Sequence, residues 1–275
     1  MTAGDESETA GVLAKRRGVL AALVEGPVRK RVLVEELGVP RTTLDRAVRE
    51  LVDCGLVERV DGGFRATVVG AKALESHDRY HAELAGLREA EPLFESLPPE
   101  TAVDGRFLAG ASVSRPDPSM PDGVVERLFE SVRSAARVRG IAPVALSGHV
   151  DTFDAEATAG GAVPEMVLTP AVLDHLIRTR RERLVEQIRE GEFEYYCGPV
   201  ESRFGLWVVD HEDRASEAGV LAYTDTGVGG VAISDTPEAV AWARGQYEQA
   251  RETAEPVTLD VIAERAADLG AAAEE

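Results

Sequence analysis

The chain is short of the residues on which several classes of protein depend. It has two cysteines in 275 residues, which excludes a disulfide scaffold and any four-cysteine metal site. No apolar run is long enough to cross a membrane, so we expect no membrane helix. The first residues, MTAGDESETAG, are acidic and polar, which predicts no signal peptide and a cytoplasmic location. With 44% hydrophobic and 29% charged residues, the composition is typical of a globular protein.

Lysine is also scarce. Lys15, Lys30 and Lys72 are the only lysines among 30 basic residues, which face 49 acidic ones and leave a net charge of −19. An acidic, lysine-poor chain resembles the cytosolic proteins of halophilic archaea, whose acidic surfaces stay hydrated in concentrated salt. An acidic protein from a mesophile with a GC-rich genome is the alternative. On the first interpretation the net charge does not indicate a basic partner.

The scarcity of lysine also bears on catalysis. Because no lysine follows Lys72, the rest of the chain cannot form a Schiff base, a P-loop lysine or the His-x-Lys pair of phospholipase D enzymes. No histidine belongs to an H-E-x-x-H motif. The segment His211-Glu212-Asp213 has metal-binding residue types, but we expect a solvated loop there. The sequence therefore predicts no enzyme, no metal and no cofactor.

Charge is distributed unevenly along the chain. Residues 14–72 hold twelve basic and eight acidic side chains, a local charge of +4, and the remainder of the chain carries −23. A locally basic module on an acidic chain indicates a surface that faces a polyanion.

The same basic segment has the pattern of a helix-turn-helix. Apolar spacing predicts helices over Leu13–Glu25, about Lys30–Leu37, and from Arg41 or Thr42 to Gly55, with a tight turn at 38–40. Two short alternating segments, Leu56–Val60 and Phe64–Val68, flank Asp61-Gly62-Gly63 and predict a β-hairpin, or wing. The order of helices, hairpin and a further helix is that of a winged helix-turn-helix.

The third helix has an apolar stripe and a polar face of residue types that contact bases and phosphates. We expect Arg41, Thr42, Thr43, Arg46 and Arg49 to enter the major groove of double-stranded promoter DNA. The residues expected to hold phosphates are Lys30, Arg31, Arg59 and Arg65.

Residues 12–75 resemble the winged-helix transcription regulators of archaea and bacteria. The run VLVEELGVPRTTLDRAVRELVDCGLVERVDGGFRATVVGAKAL carries the resemblance. Within it, residues 48–57 (VRELVDCGLV) join the recognition helix to the wing and follow the common pattern L-x-x-L-V-x-x-G-L-V, with valine at its first position. The resemblance implies sequence-specific DNA binding. The alternative is a winged helix that serves as a protein-interaction adaptor and does not bind DNA.

A long helix is predicted over Gly70–Glu91. Ala73, Tyr80, Leu87 and Phe94 are spaced by seven, and Leu84 lies on the same seam, as in a coiled coil. The seam pairs two protomers or packs on its own domain; we favour a homodimer, because two half-sites increase affinity for DNA.

Beyond residue 98 predicted strands and helices alternate, which indicates an α/β domain with a mixed sheet. The predicted helices are Gly123–Arg139, Val150–Ala159, Ala171–Glu190, Glu238–Ala254 and Leu259–Leu269. The predicted strands are Ile141–Ser147, Glu165–Thr169, Phe193–Cys197, Phe204–Asp210, Val220–Tyr223 and Val228–Ser234. The predicted fold class is therefore α/β plus α+β: an N-terminal winged helix-turn-helix, a linker helix and a C-terminal α/β mixed-sheet domain of sensor type.

This half resembles the middle domain of archaeal regulators of the methanogenesis regulatory protein type. The matching runs are SAARVRGIAPVAL, EMVLTPAVLDHL, EYYCGPVESRFGLWVVD and ISDTPEAVAWARGQYEQARETAEPV. The layout is also similar to the sensor domains of archaeal sugar-responsive regulators related to the phospholipase D fold. These resemblances supply no effector. Because ligands gather at strand ends in open α/β sheets, we expect any effector to contact His149, Tyr196, Arg203, Trp207 and Tyr223.

The sequence thus predicts a dimeric, sequence-specific transcription regulator. Its expected segments are a disordered tail (1–11), the winged helix-turn-helix (12–69), a linker and dimerisation helix (70–97), an effector or regulatory domain (98–257) and a C-terminal helix and frayed tail (258–275). A small-molecule enzyme fused to a DNA-binding module is a third hypothesis, for which the sequence offers no catalytic constellation.

Overall fold

The chain divides into two units, Met1–Ala82 and Glu83–Glu275. The structure is a computed structural model, and it describes residues 3–95, 97, 101, 103–117, 119–133, 135–146, 148–200, 203–224 and 227–271. Among these residues, none of the helices has the length and apolarity that crossing a membrane requires.

The first unit consists of helices and one β-hairpin. Its elements are α1 (Ala3–Ala21), α2 (Lys30–Leu37), α3 (Arg41–Asp53), β1 (Val57–Val60), β2 (Gly63–Ala66) and the start of α4 (Val68–Glu89). The strands β1 and β2 pair antiparallel, from Val57 opposite Ala66 to Val60 opposite Gly63. The predicted order of elements agrees with this one over residues 30–66.

The predicted disordered tail at residues 1–11 is wrong from residue 3 onward, because α1 begins at Ala3 and continues to Ala21. The segment is rich in alanine and glutamate, which are strong helix formers. Glu6 and Glu8 also lie near the helix N-terminus, where negative charge is favourable. An acidic, polar composition was therefore compatible with a helix as well as with a tail.

The helices of the first unit enclose a leucine-rich core. Leu20, Leu23, Leu33, Leu44 and Leu51 are fully buried within it. Two glycines with positive φ set the helix ends: Gly38 (φ 61°) caps α2, and Gly55 (φ 69°) follows the end of α3. These turns bring α2 and α3 together so that one side of α3 is buried.

The boundary between the units falls inside α4 and not at residues 69–70, where the sequence predicted a domain boundary. The first turns of α4 belong to the first unit, since Leu74 lies in its core and Asp78 accepts a 2.6 Å hydrogen bond from Arg17 of α1. A Cβ on Gly70 would meet the Leu56 carbonyl oxygen at 1.9 Å. Close packing therefore extends the first unit beyond the hairpin.

The second unit is built on an eight-stranded mixed sheet of order β10-β6-β5-β4-β7-β8-β9-β3. The strands are β3 (Ser112–Ser114), β4 (Arg137–Ala142), β5 (Glu165–Leu168), β6 (Glu194–Cys197), β7 (Phe204–Asp210), β8 (Glu217–Thr224), β9 (Gly227–Ser234) and β10 (Glu255–Pro256). Strands β4, β5 and β6 run parallel, and the remaining pairs are antiparallel.

Helices cover both faces of this sheet. They are α5 (Glu91–Phe94), α6 (Gly105–Leu108), α7 (Glu126–Val132), α8 (Val150–Thr158), α9 (Pro170–Glu190), α10 (Pro237–Glu252) and α11 (Leu259–Ala271), with a 3₁₀ turn at Pro121–Val124. The alternation of side chains along β7 separates two cores: Trp207 and Val209 join α7, α8, α9 and α11, and Leu206 and Val208 join α5, α6 and α10.

The predicted helix over Gly123–Arg139 is wrong in its second half. The helix α7 ends at Val132, and β4 begins at Arg137, so the strand predicted over Ile141–Ser147 lies earlier than expected. Strand β4 is bonded on both sides, to β5 and β7, and the guanidinium of Arg139 donates a 2.7 Å hydrogen bond to Asp210 of β7. Pairing with two neighbouring strands thus holds residues 137–139 in the sheet, where the sequence predicted the end of a helix.

The short elements α5, α6, β3 and β10 were not predicted; β3 pairs with β9, and β10 pairs with β6. At the other end of the unit, the predicted frayed tail overlaps α11 at Ala271, and its residues 272–275 lie outside the described residues.

Candidate nucleic-acid interface and effector cavity

The exposed face of α3 carries all five side chains predicted to contact bases. Arg41, Thr42, Thr43, Arg46 and Arg49 are exposed. The opposite face, formed by Leu44, Ala47, Val48 and Leu51, is buried in the core. The helix therefore presents a continuous polar surface while its apolar stripe fixes its position.

Four of the predicted DNA-binding cations are paired with carboxylates of the same unit. The pairs are Lys30–Asp45, Arg31–Glu35 (3.1 Å), Arg46–Glu50 (2.8 Å) and Arg65–Glu58 (2.7 Å). Arg41 and Arg49 form no ion pair with any described residue. The surface of α3 therefore alternates free and neutralised cations.

Two of these carboxylates are strongly held in their charged form. The hydrogen bond from Lys30 lowers the pKa of Asp45 below its usual range. Hydrogen bonds from Arg16 of α1, at 2.7 Å, and from Arg46 lower the pKa of Glu50 to about 2. Each carboxylate therefore keeps a negative charge on a helix whose exposed face is mainly basic.

The β-hairpin is attached to the residues that precede α2. The amide of Val28 donates to the Phe64 carbonyl at 2.8 Å, and the Phe64 amide donates to the Val28 carbonyl at 3.0 Å. Arg59 and Arg65 are exposed on the hairpin, and the Arg59 guanidinium lies 5.7 Å from the centre of the Phe64 ring. These bonds place the hairpin beside Arg29, the residue before α2.

One cation of this region was not assigned from the sequence. Arg29 is exposed, and its Nε would lie 3.8 Å from a Cβ on Gly62 in the hairpin turn. The signal was present in the basic run Arg29-Lys30-Arg31. In addition, Lys30, Arg31 and Arg41 line one surface depression between α2 and the start of α3.

The predicted seam along α4 divides in the structure. Ala73 packs against the core of the first unit, and Phe94 lies in α5 and packs in the second unit. Tyr80, Leu84 and Leu87 remain exposed on α4, with 58%, 38% and 39% of their surfaces accessible. Their spacing of four and three residues places them on one face of the helix.

A cavity of about 120 Å³ lies between the sheet and helices α8 and α9 of the second unit. His149, Trp207 and Tyr223, three of the five residues predicted to contact an effector, line it. The wall is otherwise almost entirely apolar, with Phe129, Phe153 and side chains of β4, β5, β6 and α9.

Most polar groups of the cavity wall already have partners. Trp207 Nε1 donates to Ser131 Oγ at 2.9 Å, and the Tyr195 hydroxyl donates to Gln187 Oε1 at 3.0 Å. The Asp154 carboxylate accepts from Gln187 at 2.8 Å and from Arg180 at 3.2 Å. Burial raises the pKa of Asp154, and the charge of Arg180 opposes that effect.

Two polar side chains of the wall differ from these. The ring of His149 and the hydroxyl of Tyr223 form no hydrogen bond with any described residue. Burial raises the pKa of the Tyr223 hydroxyl, which is therefore neutral and available as a donor. The cavity thus has two polar groups with free hydrogen-bonding capacity.

The placement of Tyr196 and Arg203 at an effector site is not supported. Successive side chains of β6 point to opposite faces of the sheet, so Tyr195 faces the cavity and Tyr196 does not. The Tyr196 ring stacks on the Arg251 guanidinium, 3.4 Å from the ring centre, and its hydroxyl donates to Glu194 at 2.6 Å. Arg203 is exposed and does not line the cavity.

His211 also differs from its expected solvated state. Only 1% of its side chain is accessible, whereas Glu212 and Asp213 are exposed. Its Nε2 lies 4.0 Å from Glu217 Oε1. Within the part of the chain that the structure describes, no three His, Cys, Asp or Glu side chains form a group that would hold a metal ion.

Two family models match the chain. The model for the methanogenesis regulatory protein FilR1, middle domain, matches residues 121–253. The model for the HVO_A0261 N-terminal domain matches residues 5–88. The two matches fall on the sheet-containing second unit and on the first unit with the rest of α4. No curated protein matches the chain.

Solved structures give distant likenesses. TrmBL2, described as an archaeal chromatin protein with a novel mode of DNA binding, is 17% identical over 89% of this chain and 93% of its own, with a TM-score of 0.40. Nuc, a phospholipase D family member from Salmonella typhimurium, is 12% identical over 54% of this chain and 97% of its own, with a TM-score of 0.39.

NucT from Helicobacter pylori is 9% identical over 54% of this chain and 98% of its own, with a TM-score of 0.41. At these scores the structural likenesses carry no functional weight. The chain is therefore similar over residues 121–253 to regulators that carry a FilR1-type middle domain, and over residues 5–88 to the HVO_A0261 N-terminal domain.

Proposed function

We propose that the chain binds specific promoter sequences in double-stranded DNA as a dimer, and that its first unit acts as a winged helix-turn-helix. The observation that carries the proposal is the exposed face of α3, where three arginines and two threonines lie together above a fully buried stripe. A helix of this kind fits the major groove, and arginine bonds guanine there through two hydrogen bonds.

The interface contains two kinds of contact. Arg41, Arg46 and Arg49 read base edges, assisted by the hydroxyls of Thr42 and Thr43. The side chains that hold phosphates are Lys30, Arg31, Arg59 and Arg65. Phosphate contacts position the protein and carry no sequence information, so specificity lies on α3.

Arg49 and Arg46 differ in their readiness to bind DNA. Arg49 has no ion-pair partner among the described residues, so its guanidinium is free to meet a base. Arg46 is bound to Glu50, which Arg16 also holds. An exposed ion pair contributes little net stability, and Arg16 remains to neutralise Glu50 when Arg46 turns to DNA. Both arginines therefore serve the interface, and Arg49 does so without breaking a contact.

The exposed face of α4 supports the proposed dimer. Tyr80, Leu84 and Leu87 form an apolar stripe that two copies of the helix would bury against each other. A dimer holds two copies of α3, which suits an operator with two-fold symmetry. The charge of −23 outside residues 14–72 repels DNA and restricts contact to the basic module.

The second unit is proposed to sense an effector. The cavity beneath α8 and α9 is the feature that supports this role. A nuclease or other enzyme is not favoured, since the sequence lacks the His-x-Lys pair and any lysine after Lys72.

The test is selection of bound duplexes from a random DNA library by the full-length protein, in dilute and in molar KCl. We expect an enriched motif with two-fold symmetry. Fluorescence anisotropy on that motif then compares Arg49→Ala with the wild type. A lost bidentate base contact lowers affinity by about 1–3 kcal/mol, or about 5–150-fold, at one base-pair position.

The matched control is Arg127→Ala, because Arg127 is an exposed arginine on α7 in the second unit. We expect this variant to bind like the wild type. Two results together would instead favour the adaptor hypothesis: selection enriches no DNA motif, and charge reversal at Arg46 and Arg49 leaves the retention of library DNA unchanged.

A further inference from the structure

We propose that the cavity of the second unit binds a small, uncharged, mainly apolar molecule with one polar group of hydroxyl size. The inference extends the proposed function, because it gives the chemical class of the effector. It excludes sugars, phosphates and carboxylates as occupants of this cavity.

The size of the cavity limits the occupant. Its volume is about 120 Å³. An engineered apolar cavity of about 150 Å³ in another protein stays dry and binds benzene. A single substituted ring or a short branched chain therefore fills the available space.

The wall determines the polarity of the occupant. Phe129, Phe153 and Leu176 approach from the helical side, and Trp207 and Leu221 approach from the sheet. Apolar walls favour apolar ligands because their contact removes both surfaces from water. A polyhydroxylated ligand would leave most of its hydroxyls without partners, which costs free energy for each buried group.

The wall also excludes charged ligands. No lysine or arginine is among the described residues that line the cavity. Asp154 is the only carboxylate among those described lining residues, and Gln187 and Arg180 already bind that group. An anion would be buried without a counter-ion, and a cation would have to displace Arg180 from Asp154.

Two groups remain to orient the ligand. The Tyr223 hydroxyl and the His149 ring have no hydrogen-bond partner among the described residues, and both line the cavity. The cavity also meets the carboxyl ends of the parallel strands β4 and β5 at Ala142 and Leu168, the edge where α/β sheets bind ligands. One polar atom on an otherwise apolar molecule satisfies this arrangement.

Benzyl alcohol and benzoate form a matched pair of probes. They have nearly the same shape, and only benzoate is charged. Binding to the full-length protein is measured by saturation-transfer NMR and by the rise in Tm. We expect benzyl alcohol to bind and to raise Tm, and we expect benzoate to do neither.

Variants of the cavity locate the bound probe. Ala142→Phe fills the space at the end of β4 and should abolish binding of benzyl alcohol. Ala136→Phe introduces the same ring at an exposed position before β4 and should leave binding unchanged. Tyr223→Phe removes one hydrogen bond to the probe and should weaken binding about five-fold. If Ala142→Phe does not fold, Tyr223→Phe shows whether the probe binds in this cavity.

The proposal is overturned if benzoate binds as tightly as benzyl alcohol, if neither probe binds the folded protein, or if Tyr223→Phe leaves the affinity unchanged. The DNA selection is a separate measurement, so the two proposals fail separately. An enriched operator without probe binding refutes the ligand class alone, and probe binding without an operator refutes DNA recognition alone.

Discussion

Gly219→Ala tests how Trp207, a side chain of the cavity wall, packs against the neighbouring strand of the sheet. Gly219 on β8 lies opposite Trp207 on β7, and the indole covers it. A Cβ at this position would lie 1.9 Å from Trp207 Cζ2 and 2.2 Å from Cε2, where ordinary contact is 3.4–4 Å. The buried indole would have to retreat by about 1.5 Å, which is the difference between 3.4 Å and 1.9 Å.

The expected loss of stability has two parts. Inserting a methyl group against a buried side chain costs about 1–3 kcal/mol. Displacing the indole also breaks the bond from Trp207 Nε1 to Ser131 Oγ, and a buried donor without a partner costs about 1–3 kcal/mol more. The lower chain entropy of alanine in the unfolded state offsets about 0.4–1 kcal/mol. The net loss is about 3 kcal/mol, which lowers Tm by about 6–12 °C for a unit of this size.

Thermal unfolding followed by circular dichroism measures this loss. Gly245→Ala is the matched control, because Gly245 lies inside α10 and, apart from its chain neighbours and the helix backbone, no described atom lies within 4 Å of an added Cβ. That variant should gain about 0.5–1 kcal/mol from the helix preference of alanine. Trp207→Phe supplies a smaller ring, so Gly219→Ala should cost less in that background. If Gly219→Ala melts at or above the wild-type Tm, the indole does not lie on Gly219 and the reasoning fails.

Three further predictions concern the first unit and α4. The pKa of Glu50 is about 2, against an ordinary value of 4.5. The bonds of its carboxylate with Arg16 and Arg46 therefore stabilise the fold fully above pH 4.5, and this stabilisation is lost as the pH falls toward 2. The Tm of Glu50→Gln should therefore depend less on pH in this range, and an unchanged profile would contradict the assignment. Asp45→Asn removes a negative charge from the DNA face of α3, so anisotropy should show tighter DNA binding; weaker binding would show that the carboxylate positions Lys30. Tyr80→Ala combined with Leu87→Ala should reduce the mass in light scattering to that of a monomer, and a mass that stays dimeric would place the interface elsewhere.

The face of α3 could be predicted because one local pattern determines it. Leu44, Val48 and Leu51 recur at helical spacing, and Gly38 and Gly55 mark the turns on either side. Once the apolar stripe is buried, the exposed side chains follow from geometry alone. The same local reasoning failed at the N-terminus, where an acidic helix has the composition of a tail.

The cavity could not be predicted because its wall comes from distant segments. Strands β4 to β8 and helices α8 and α9 each supply part of it. The order of the strands in the sheet depends on long-range pairing, which no single segment of the sequence determines. Three of the side chains proposed from the sequence for an effector site, His149, Trp207 and Tyr223, line the cavity. Choosing between Tyr195 and Tyr196 required knowing which face of β6 turns toward α9, and only the assembled sheet fixes that.

The ion pairs around α3 also affect how the proposed interface responds to salt. Four of its seven cations already hold a carboxylate. When Lys30, Arg31 or Arg65 moves to a phosphate, the carboxylate that it leaves takes up a salt cation, which cancels part of the ion release that normally drives DNA binding. DNA binding then exchanges one set of ion pairs for another, with a smaller net release of salt ions. Its affinity falls less steeply with salt than the number of its phosphate contacts implies, a property suited to DNA binding in a concentrated electrolyte.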